Sequence, residues 1–406
     1  WFVAGDVRAN ENVLLSSIHT IFLREHNRVC DELALEYPNW DDETIYQRAR
    51  KIVGGTLQAI VYEEWLPSLG VILETYYGYD SEINPGIMNT FSSAAYRYGH
   101  TVINSVLLRL DEQGSVVPQG NIRLKDAFFN PQVLIDGGGI EPLLRGSSTQ
   151  IEQDFDSKMI SDLRNFLFGP PGAGGLDLAS LNINRGRERG LADYNTIREY
   201  FGLGKITEFS EITHNASLAS HLKNIYSNIN DVDPWVGFLL EDHMSNTLFG
   251  ETVMKIMEVQ FTNLRDGDRF YYENDPTLSI DEINDIKRTR LSQVIMRNTN
   301  IKNLNNNVFL AADMITSVDE IKNAIDYSIY PNPSSANFFI NLTSSQQCNA
   351  HVTVIDNIGS EVFSTKQQFN IGTNNFEISL SGYPSGLYTL IVKLEDDIKV
   401  MRIIKN

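Results

Sequence analysis

Apolar residues recur every three or four positions through most of the first 300 residues, the spacing of helices that bury one face. The clearest run predicts a helix from Val13 to Glu36, with apolar positions at Leu14, Ile18, Phe22, Val29 and Leu33. Pro38 ends this run. Further helices are predicted over residues 42–59, 89–108, 217–228, 249–265 and 280–297. The pattern therefore predicts a mainly α domain over residues 1–315.

The pattern changes from about residue 316 onwards, where apolar and polar residues begin to alternate. Alternation is typical of strands with one buried face, and it is clearest at residues 351–356, 376–380 and 388–392. Turn sequences such as Asn-Ile-Gly and Pro-Ser-Gly lie between these runs. We therefore predict a linker at residues 316–328 and a small all-β sandwich domain at residues 329–406.

Composition narrows the classes of function. The 406 residues carry a formal charge of −19, from 33 basic and 52 acidic residues, which argues against nucleic-acid partners and anionic membranes. The two cysteines, Cys30 and Cys348, fall in different predicted domains, so a disulfide framework is not expected. No apolar run is long enough to predict a transmembrane segment.

The candidate chemistry begins at His100, in the sequence Ala-Tyr-Arg-Tyr-Gly-His at residues 95–100. A buried neutral imidazole is a good axial ligand for haem iron, and Arg97, one turn earlier, could reach a haem propionate. A lone histidine on an apolar helix is also compatible with an ordinary core residue. Arg97 is equally compatible with an ordinary ion pair.

Further motifs follow in a fixed order along the first 315 residues. The most specific are Phe-Val-Ala-Gly-Asp-Val-Arg-Ala-Asn-Glu-Asn at 2–12, Leu-Asn-Ile-Asn-Arg-Gly-Arg-Glu-Arg-Gly-Leu at 181–191, Asp-Pro-Trp-Val-Gly at 233–237 and Arg-Asp-Gly-Asp-Arg-Phe at 265–270. Together with the His100 segment, this series resembles the animal-type haem peroxidases. The resemblance implies a mainly α fold that binds haem b and uses hydrogen peroxide to oxidise a small reducing substrate.

The resemblance also implies roles on the two sides of the haem. His100 matches the proximal iron ligand, and Asn182 matches the acceptor for the second nitrogen of that imidazole. Arg8 matches the distal arginine, whose fixed charge would stabilise the departing peroxide oxygen. Arg185 matches a partner of a haem propionate. Read from the residues alone, Asn182 could equally be a helix cap and Arg185 a member of an ion pair.

Glu11 lies three residues after Arg8 and matches the carboxylate that forms an ester with a haem methyl group in some family members. An acidic residue in the first turn of a helix is the alternative reading of Glu11. Asn12 stands where some members have the methionine that bonds a haem vinyl group. Efficient chloride oxidation is therefore not expected, and bromide, iodide, thiocyanate or phenols are the expected donors.

Two other functions remain open. One is a non-enzymatic adhesive or haem-holding surface protein, which the acidic surface and the β domain would allow. The other is a fatty-acid dioxygenase of the same superfamily, but those enzymes carry a radical-forming tyrosine where this chain has Arg97. Glu188-Arg189 and Asn184 depart from the usual residues behind the proximal histidine.

The two ends of the chain carry further expectations. Tyr-Pro-Asn-Pro at 330–333, Ser-Gly-Leu-Tyr at 385–388 and the last strand resemble the C-terminal sorting domain of the type IX secretion system of Bacteroidota. That resemblance implies contact with the secretion machinery and a secreted or surface-bound product; a carbohydrate-binding or adhesive sandwich is the alternative. Trp1 begins partway into the peroxidase pattern. The distal histidine, a second haem-linking carboxylate and a calcium loop are expected before Arg8, and residues 1–406 alone are expected to turn over poorly.

Overall fold

The protein is described by a computed structural model, which covers residues 1–169, 175–311, 326–344, 348–356, 360–370, 372–393 and 398–406. The chain divides into two compact units, one within the first 317 residues and one from residue 318 onwards. Most of the predicted linker, residues 316–325, lies outside the described residues. The placement of that linker therefore stays a prediction.

The first unit is mainly helical, as the apolar pattern predicts. Its α-helices are Val13–Glu36, Asp42–Ile60, Leu66–Ser68, Asn89–Ser93, Gly99–Val102, Leu124–Ala127, Gln132–Asp136, Glu141–Thr149, Ser161–Arg164, Leu178–Glu188, Tyr194–Tyr200, Ala216–Tyr226, Pro234–Leu240, Glu251–Asp266, Ile280–Arg288 and Leu291–Arg297. Short 3-10 helices are Val7–Asn10, Ala95–Tyr98, Phe209–Glu211, Ile229–Asp231 and Tyr272–Asn274, and Val61–Trp65 is a π-helix. Val106–Leu107 and Ile122–Arg123 form a two-stranded antiparallel ribbon.

The two longest helices of the structure have clear capping signals. Asn12 accepts a hydrogen bond from the Leu15 amide and thereby caps Val13–Glu36, whose bounds are those predicted. Asp41 caps Asp42–Ile60 in the same way, through the amide of Thr44. These caps satisfy backbone amides that the first turn of a helix leaves without partners.

The single helix predicted over residues 89–108 is not present. Ala94 leaves the helical conformation at φ −138° and ψ −68°, so Asn89–Ser93 ends there. A 3-10 turn and the short helix Gly99–Val102 follow, and Ile103 is already extended. The helix predicted over 280–297 is likewise interrupted, because Thr289 is extended. Apolar spacing continued through both breaks and did not reveal them.

Two large apolar clusters form the core of the first unit. One contains Phe91, Tyr194, Trp235, Phe249 and Phe261, and it packs around the segment that precedes His100. The other is built on Val13 and Ile21 of the first long helix. The segment that leads to His100 therefore has a densely packed aromatic support.

The second unit contains two antiparallel sheets. The strands are Asp326–Tyr330, Asn337–Ser344, Cys348–Ile355, Glu361–Phe369, Gly372–Ser379, Gly386–Lys393 and Ile398–Lys405. The first, second and fifth of these form one sheet, and the other four form the second sheet. Buried side chains from both sheets, including Phe338, Val352, Ile378 and Leu390, share one core. This is the small β-sandwich that the alternating pattern predicts.

Candidate functional site

The site is centred on a contact between two helical segments. His100 lies in Gly99–Val102 and is half-buried, whereas Asn182 lies in Leu178–Glu188 and is fully buried. The Asn182 Nδ2 atom is 2.9 Å from His100 Nδ1. The pKa of His100 is lowered to about 4, mainly by burial and then by the positive charge of Arg97, while the Asn182 hydrogen bond opposes this lowering. The imidazole is therefore neutral near pH 7, which is the form that ligates metals.

Arg97 is held in the same cluster. Its Nη1 donates to Asn182 Oδ1 at 2.9 Å, and its Nε donates to the carbonyl of Ser92 at 3.1 Å. The indole Nε1 of Trp235 donates to the Arg97 carbonyl at 3.4 Å. The side chain of Arg97 is thus tied to the buried amide that also faces His100.

Two more arginines add positive charge around Arg97. Burial lowers the pKa of Arg97, and the neighbouring charges of Arg185 and then Arg189 lower it further. Arg185 Nε lies 3.3 Å from a carboxylate oxygen of Glu188, and both side chains are substantially exposed. We call Arg97, Arg185 and Arg189 the arginine cluster. Such a concentration of positive charge suits a ligand with two carboxylates, as haem has in its propionates.

The residues present therefore fit a haem group with an imidazole ligand, with one condition. Asn182 points its Nδ2 toward His100, so Nδ1 accepts a hydrogen bond and the ring proton lies on Nε2. Coordination of iron through Nε2 needs the reverse tautomer, in which Nδ1–H donates to Asn182 Oδ1. A half-turn of the Asn182 amide provides that arrangement, and it removes the acceptor that Arg97 uses here.

Arg8 and Glu11 lie elsewhere in the first unit. Arg8 belongs to the 3-10 helix Val7–Asn10, and its exposed guanidinium binds Asp6 through Nε at 3.0 Å. Burial raises the pKa of Glu11, and the charge of Arg8 opposes that rise. Among the residues that the structure describes, neither Arg8 nor Glu11 contacts His100, Asn182 or Arg97. The structure thus brings the proximal residues together and leaves the predicted distal residues apart from them.

Sequence reasoning missed Arg189, which stood only as a departure from the family pattern. Arg185 and Arg189 are four residues apart, so a helix ending near Arg189 brings both to one face. Arg187 points elsewhere and binds Asp233 through two contacts of 2.9 and 2.6 Å. The four-residue spacing of Arg185 and Arg189 was the signal in the sequence that could have identified this part of the arginine cluster.

Two features are absent from the described residues. No group of three or more histidine, cysteine or acidic side chains is arranged to hold a metal ion there. Within the same residues, no helix has the length and apolar character needed to cross a membrane. His100 offers a single imidazole and is therefore not a group of this kind.

Comparison with known families divides the chain as the structure does. The family described as animal haem peroxidase matches residues 1–309, and the secretion system C-terminal sorting domain matches residues 328–406. Both matches agree with the resemblances drawn from the motifs. The sorting domain indicates export, with a secreted or surface-bound product.

Individual proteins give the same assignment. Peroxinectin A of Dictyostelium discoideum is 40% identical over 309 residues, which cover 76% of this chain and 57% of that protein. The human peroxidasin homolog is 39% identical over 334 residues, covering 79% of this chain and 23% of that protein. This chain therefore spans little more than half of the first relative and about a quarter of the second.

Solved structures share the fold. Peroxidase A from Dictyostelium discoideum superposes with a TM-score of 0.70 at 39% identity, over 76% of this chain and 59% of that one. A fatty acid α-dioxygenase from Oryza sativa superposes with a TM-score of 0.65 at 21% identity, over 75% of this chain and 58% of that one, which shows a shared fold alone. The family match, the identities and the helical fold agree: this chain belongs to the animal haem peroxidase family.

Proposed function

We propose that this chain is part of a secreted haem peroxidase, which uses hydrogen peroxide to oxidise halides, pseudohalides or small organic donors. The observation that carries the proposal is the neutral imidazole of His100 held 2.9 Å from the buried amide of Asn182. Haem would supply the redox chemistry, and the protein would supply its ligand, its charges and its surroundings.

His100 would bind the iron through Nε2, and Asn182 would turn its Oδ1 toward Nδ1–H. This hydrogen bond makes the imidazole more electron-rich, which favours higher oxidation states of a bound metal. Arg97, released from Asn182 Oδ1, would then bind a propionate together with Arg185. The arginine cluster supports this assignment, because within the part of the chain that the structure describes its three guanidinium groups are matched by one carboxylate, that of Glu188 beside Arg185.

Arg8 would act on the peroxide side. Its planar, permanently charged guanidinium would stabilise the negative charge on the departing oxygen. Because Arg8 binds Asp6 in this structure, this role requires the guanidinium to leave that carboxylate. Glu11, whose half-buried carboxyl has a raised pKa, would form the ester to a haem methyl group.

The test is the absorption spectrum of the haem-loaded protein, expressed from its complete reading frame, beside those of His100→Ala and His221→Ala. His221 is an exposed histidine of Ala216–Tyr226 and serves as the matched control. We expect a histidine-ligated ferric spectrum in the wild type and in His221→Ala, lost in His100→Ala. Identical spectra in all three would remove His100 as the ligand. Haem binding without any peroxide-dependent oxidation of guaiacol would favour the adhesive or haem-holding role instead.

A further inference from the structure

A series of aromatic rings begins at the segment that precedes His100. Tyr96 and Tyr98 flank Arg97, and their ring centroids are 6.2 Å apart. The ring of Tyr96 also lies 6.1 Å from that of Trp65. Tyr96 is 45% exposed, whereas Trp65 is half-buried. Two oxidisable phenols and an indole therefore form a series of ring contacts that begins two residues before the proposed iron ligand.

The series continues through the core. Trp65 lies 5.8 Å from Phe261, and Phe261 lies 6.1 Å from Tyr62, all between centroids. Trp65 and Tyr62 both belong to the π-helix Val61–Trp65. Helical bulges of this type are frequent at functional sites, and this one supplies both residues to the same aromatic stack. The ring of Tyr62 then lies 5.5 Å from that of Tyr271.

The series ends near a tyrosine-rich stretch of the surface. Tyr271 lies 4.9 Å from Tyr76. The next residue, Tyr77, is 92% exposed, and Tyr79 is 41% exposed. The rings thus join the surroundings of His100 to phenols that solvent and large molecules can reach.

Oxidation of a neutral phenol releases a proton, so a base close to the series makes that oxidation easier. Burial raises the pKa of Tyr62, Tyr271 and Tyr272, so all three are neutral phenols near pH 7. The Tyr62 hydroxyl donates to the carbonyl of Phe261 at 3.2 Å. The Tyr272 hydroxyl donates to the carboxylate of Glu273 at 3.3 Å, and the Tyr272 ring lies 4.8 Å from Tyr271. The carboxylate of Glu273, one ring contact away from Tyr271, is therefore a base that can take up a proton, whereas the Phe261 carbonyl only accepts the hydrogen bond of Tyr62.

We propose that these rings form an electron relay, through which phenolic donors too large to reach the haem are oxidised at the surface beside Tyr77 and Tyr79. The relay consists of Tyr98, Tyr96, Trp65, Tyr62, Tyr271 and Tyr76. Its substrates are bulky phenols, including exposed tyrosine side chains of other proteins. The inference rests on the proposed function, because the oxidising equivalents come from hydrogen peroxide at the haem site.

The reaction balances as a one-electron oxidation carried out twice. Each donor phenol gives one electron to the relay and one proton to water, and becomes a phenoxyl radical. Two such electrons and two protons reduce one hydrogen peroxide to two waters. Two phenoxyl radicals can then couple through a carbon–carbon bond, which yields a dityrosine when the donors are tyrosine side chains.

The experiment treats the haem-loaded protein, expressed from its complete reading frame, with hydrogen peroxide and a nitroso spin trap, and locates the adducts by peptide mass spectrometry. Tyr62→Phe keeps the ring contacts and removes the oxidisable phenol from the middle of the relay. Tyr226→Phe is the matched control, because Tyr226 is also half-buried with one hydrogen-bonded hydroxyl, to Asp233. Guaiacol oxidation and dityrosine formation on a folded protein with exposed tyrosines are measured in parallel.

We expect adducts on residues 76–79 in the wild type and in Tyr226→Phe, and their loss in Tyr62→Phe, which keeps an adduct on Tyr96. Tyr62→Phe should also lose dityrosine formation and keep guaiacol oxidation. Unchanged adducts in Tyr62→Phe overturn the relay, as does a wild type that oxidises guaiacol without marking residues 76–79. A wild type that oxidises neither guaiacol nor itself overturns the proposed function, and the relay with it.

Discussion

Asn182 and His100 are 82 residues apart in the chain, yet the amide nitrogen of one lies 2.9 Å from Nδ1 of the other. The contact exists because Leu178–Glu188 presents Asn182 inward, fully buried, toward Gly99–Val102. A buried amide in this position has few alternatives, since an unpaired polar group costs about 1–3 kcal/mol. The contact therefore fixes the orientation of the imidazole before any ligand binds.

Asn182→Leu keeps the volume and removes the hydrogen bond, so the imidazole becomes less electron-rich. We expect the ferric/ferrous midpoint potential to rise and haem affinity or turnover to fall by about 10–100-fold. Spectroelectrochemical titration measures the potential. The control is Asn184→Leu, at an exposed position on the same helix; an equal shift in both variants would argue against a specific role for Asn182.

The arginine cluster predicts how haem is recognised. Arg185→Gln and Arg189→Gln should each weaken haem binding by about 1 kcal/mol, because each removes a cation that would face a propionate. Haem dimethyl ester, which lacks both carboxylates, should bind the variants and the wild type equally. Fluorescence-quenching titrations with the two haems measure this. Arg50→Gln, at an exposed position of Asp42–Ile60, is the control; equal losses with the ester haem would contradict the propionate assignment.

Glu11 is predicted to hold the haem covalently. After treatment with hydrogen peroxide, acid acetone should leave haem on the wild type and extract it from Glu11→Gln. Absorption of the two phases gives the extracted fraction. Glu32→Gln, which changes an exposed carboxylate on Val13–Glu36, should behave as the wild type. Haem that is already extractable from the treated wild type would remove the ester assignment.

The buried carboxylate of Glu25 should make the free energy of unfolding depend on pH. It is 1% exposed and binds Arg28 at 2.9 Å, Arg297 at 2.9 Å and Asn298 at 2.6 Å. Burial alone would raise the pKa of Glu25, but these hydrogen bonds lower it below its ordinary value. A depressed pKa in the folded state contributes stability above the unfolded value of about 4.3, and this contribution is lost as pH falls through the folded pKa.

Glu25→Gln should therefore lower the free energy of unfolding at pH 7 by about 3 kcal/mol and flatten its fall below about pH 5. Urea unfolding at a series of pH values measures both effects. Glu32→Gln, whose side chain is 63% exposed, should cost less than about 1 kcal/mol. A variant curve parallel to the wild-type curve in acid would show that Glu25 does not carry the dependence.

Alanine substitutions at two adjacent glycines of the helix Asp42–Ile60 should change the stability of the protein in opposite directions. Gly54 is exposed and a Cβ there would meet nothing within 4 Å, so Gly54→Ala should stabilise the protein by about 0.5–1 kcal/mol. A Cβ on Gly55 would lie 3.0 Å from Tyr272 Cβ and 3.2 Å from Ile286 Cδ1. Gly55→Ala should destabilise it by about 1–3 kcal/mol. Thermal unfolding compares the pair, and a gain in both would contradict the close packing at Gly55.

The sequence predicted those parts of the structure that depend on local periodicity and on motifs. Val13–Glu36 follows from apolar spacing ended by Pro38, and the family motifs named His100, Asn182 and Arg97, which the structure brings together. The break at Ala94 depends on how one backbone fits its neighbours, which apolar spacing does not encode. The aromatic relay joins residues of four distant segments, so only tertiary structure could reveal it.

The arginine cluster gives an acidic protein a local positive potential. The chain has a formal charge of −19. At long range an anion experiences this net charge and is repelled. Within a Debye length, about 8 Å at physiological ionic strength, the three guanidinium groups dominate instead. The arginine cluster therefore attracts anions only at short range, whereas the net negative charge of the molecule attracts cations. Added salt would speed the approach of an anion and shorten its residence, so the two kinetic steps would respond to ionic strength with opposite signs.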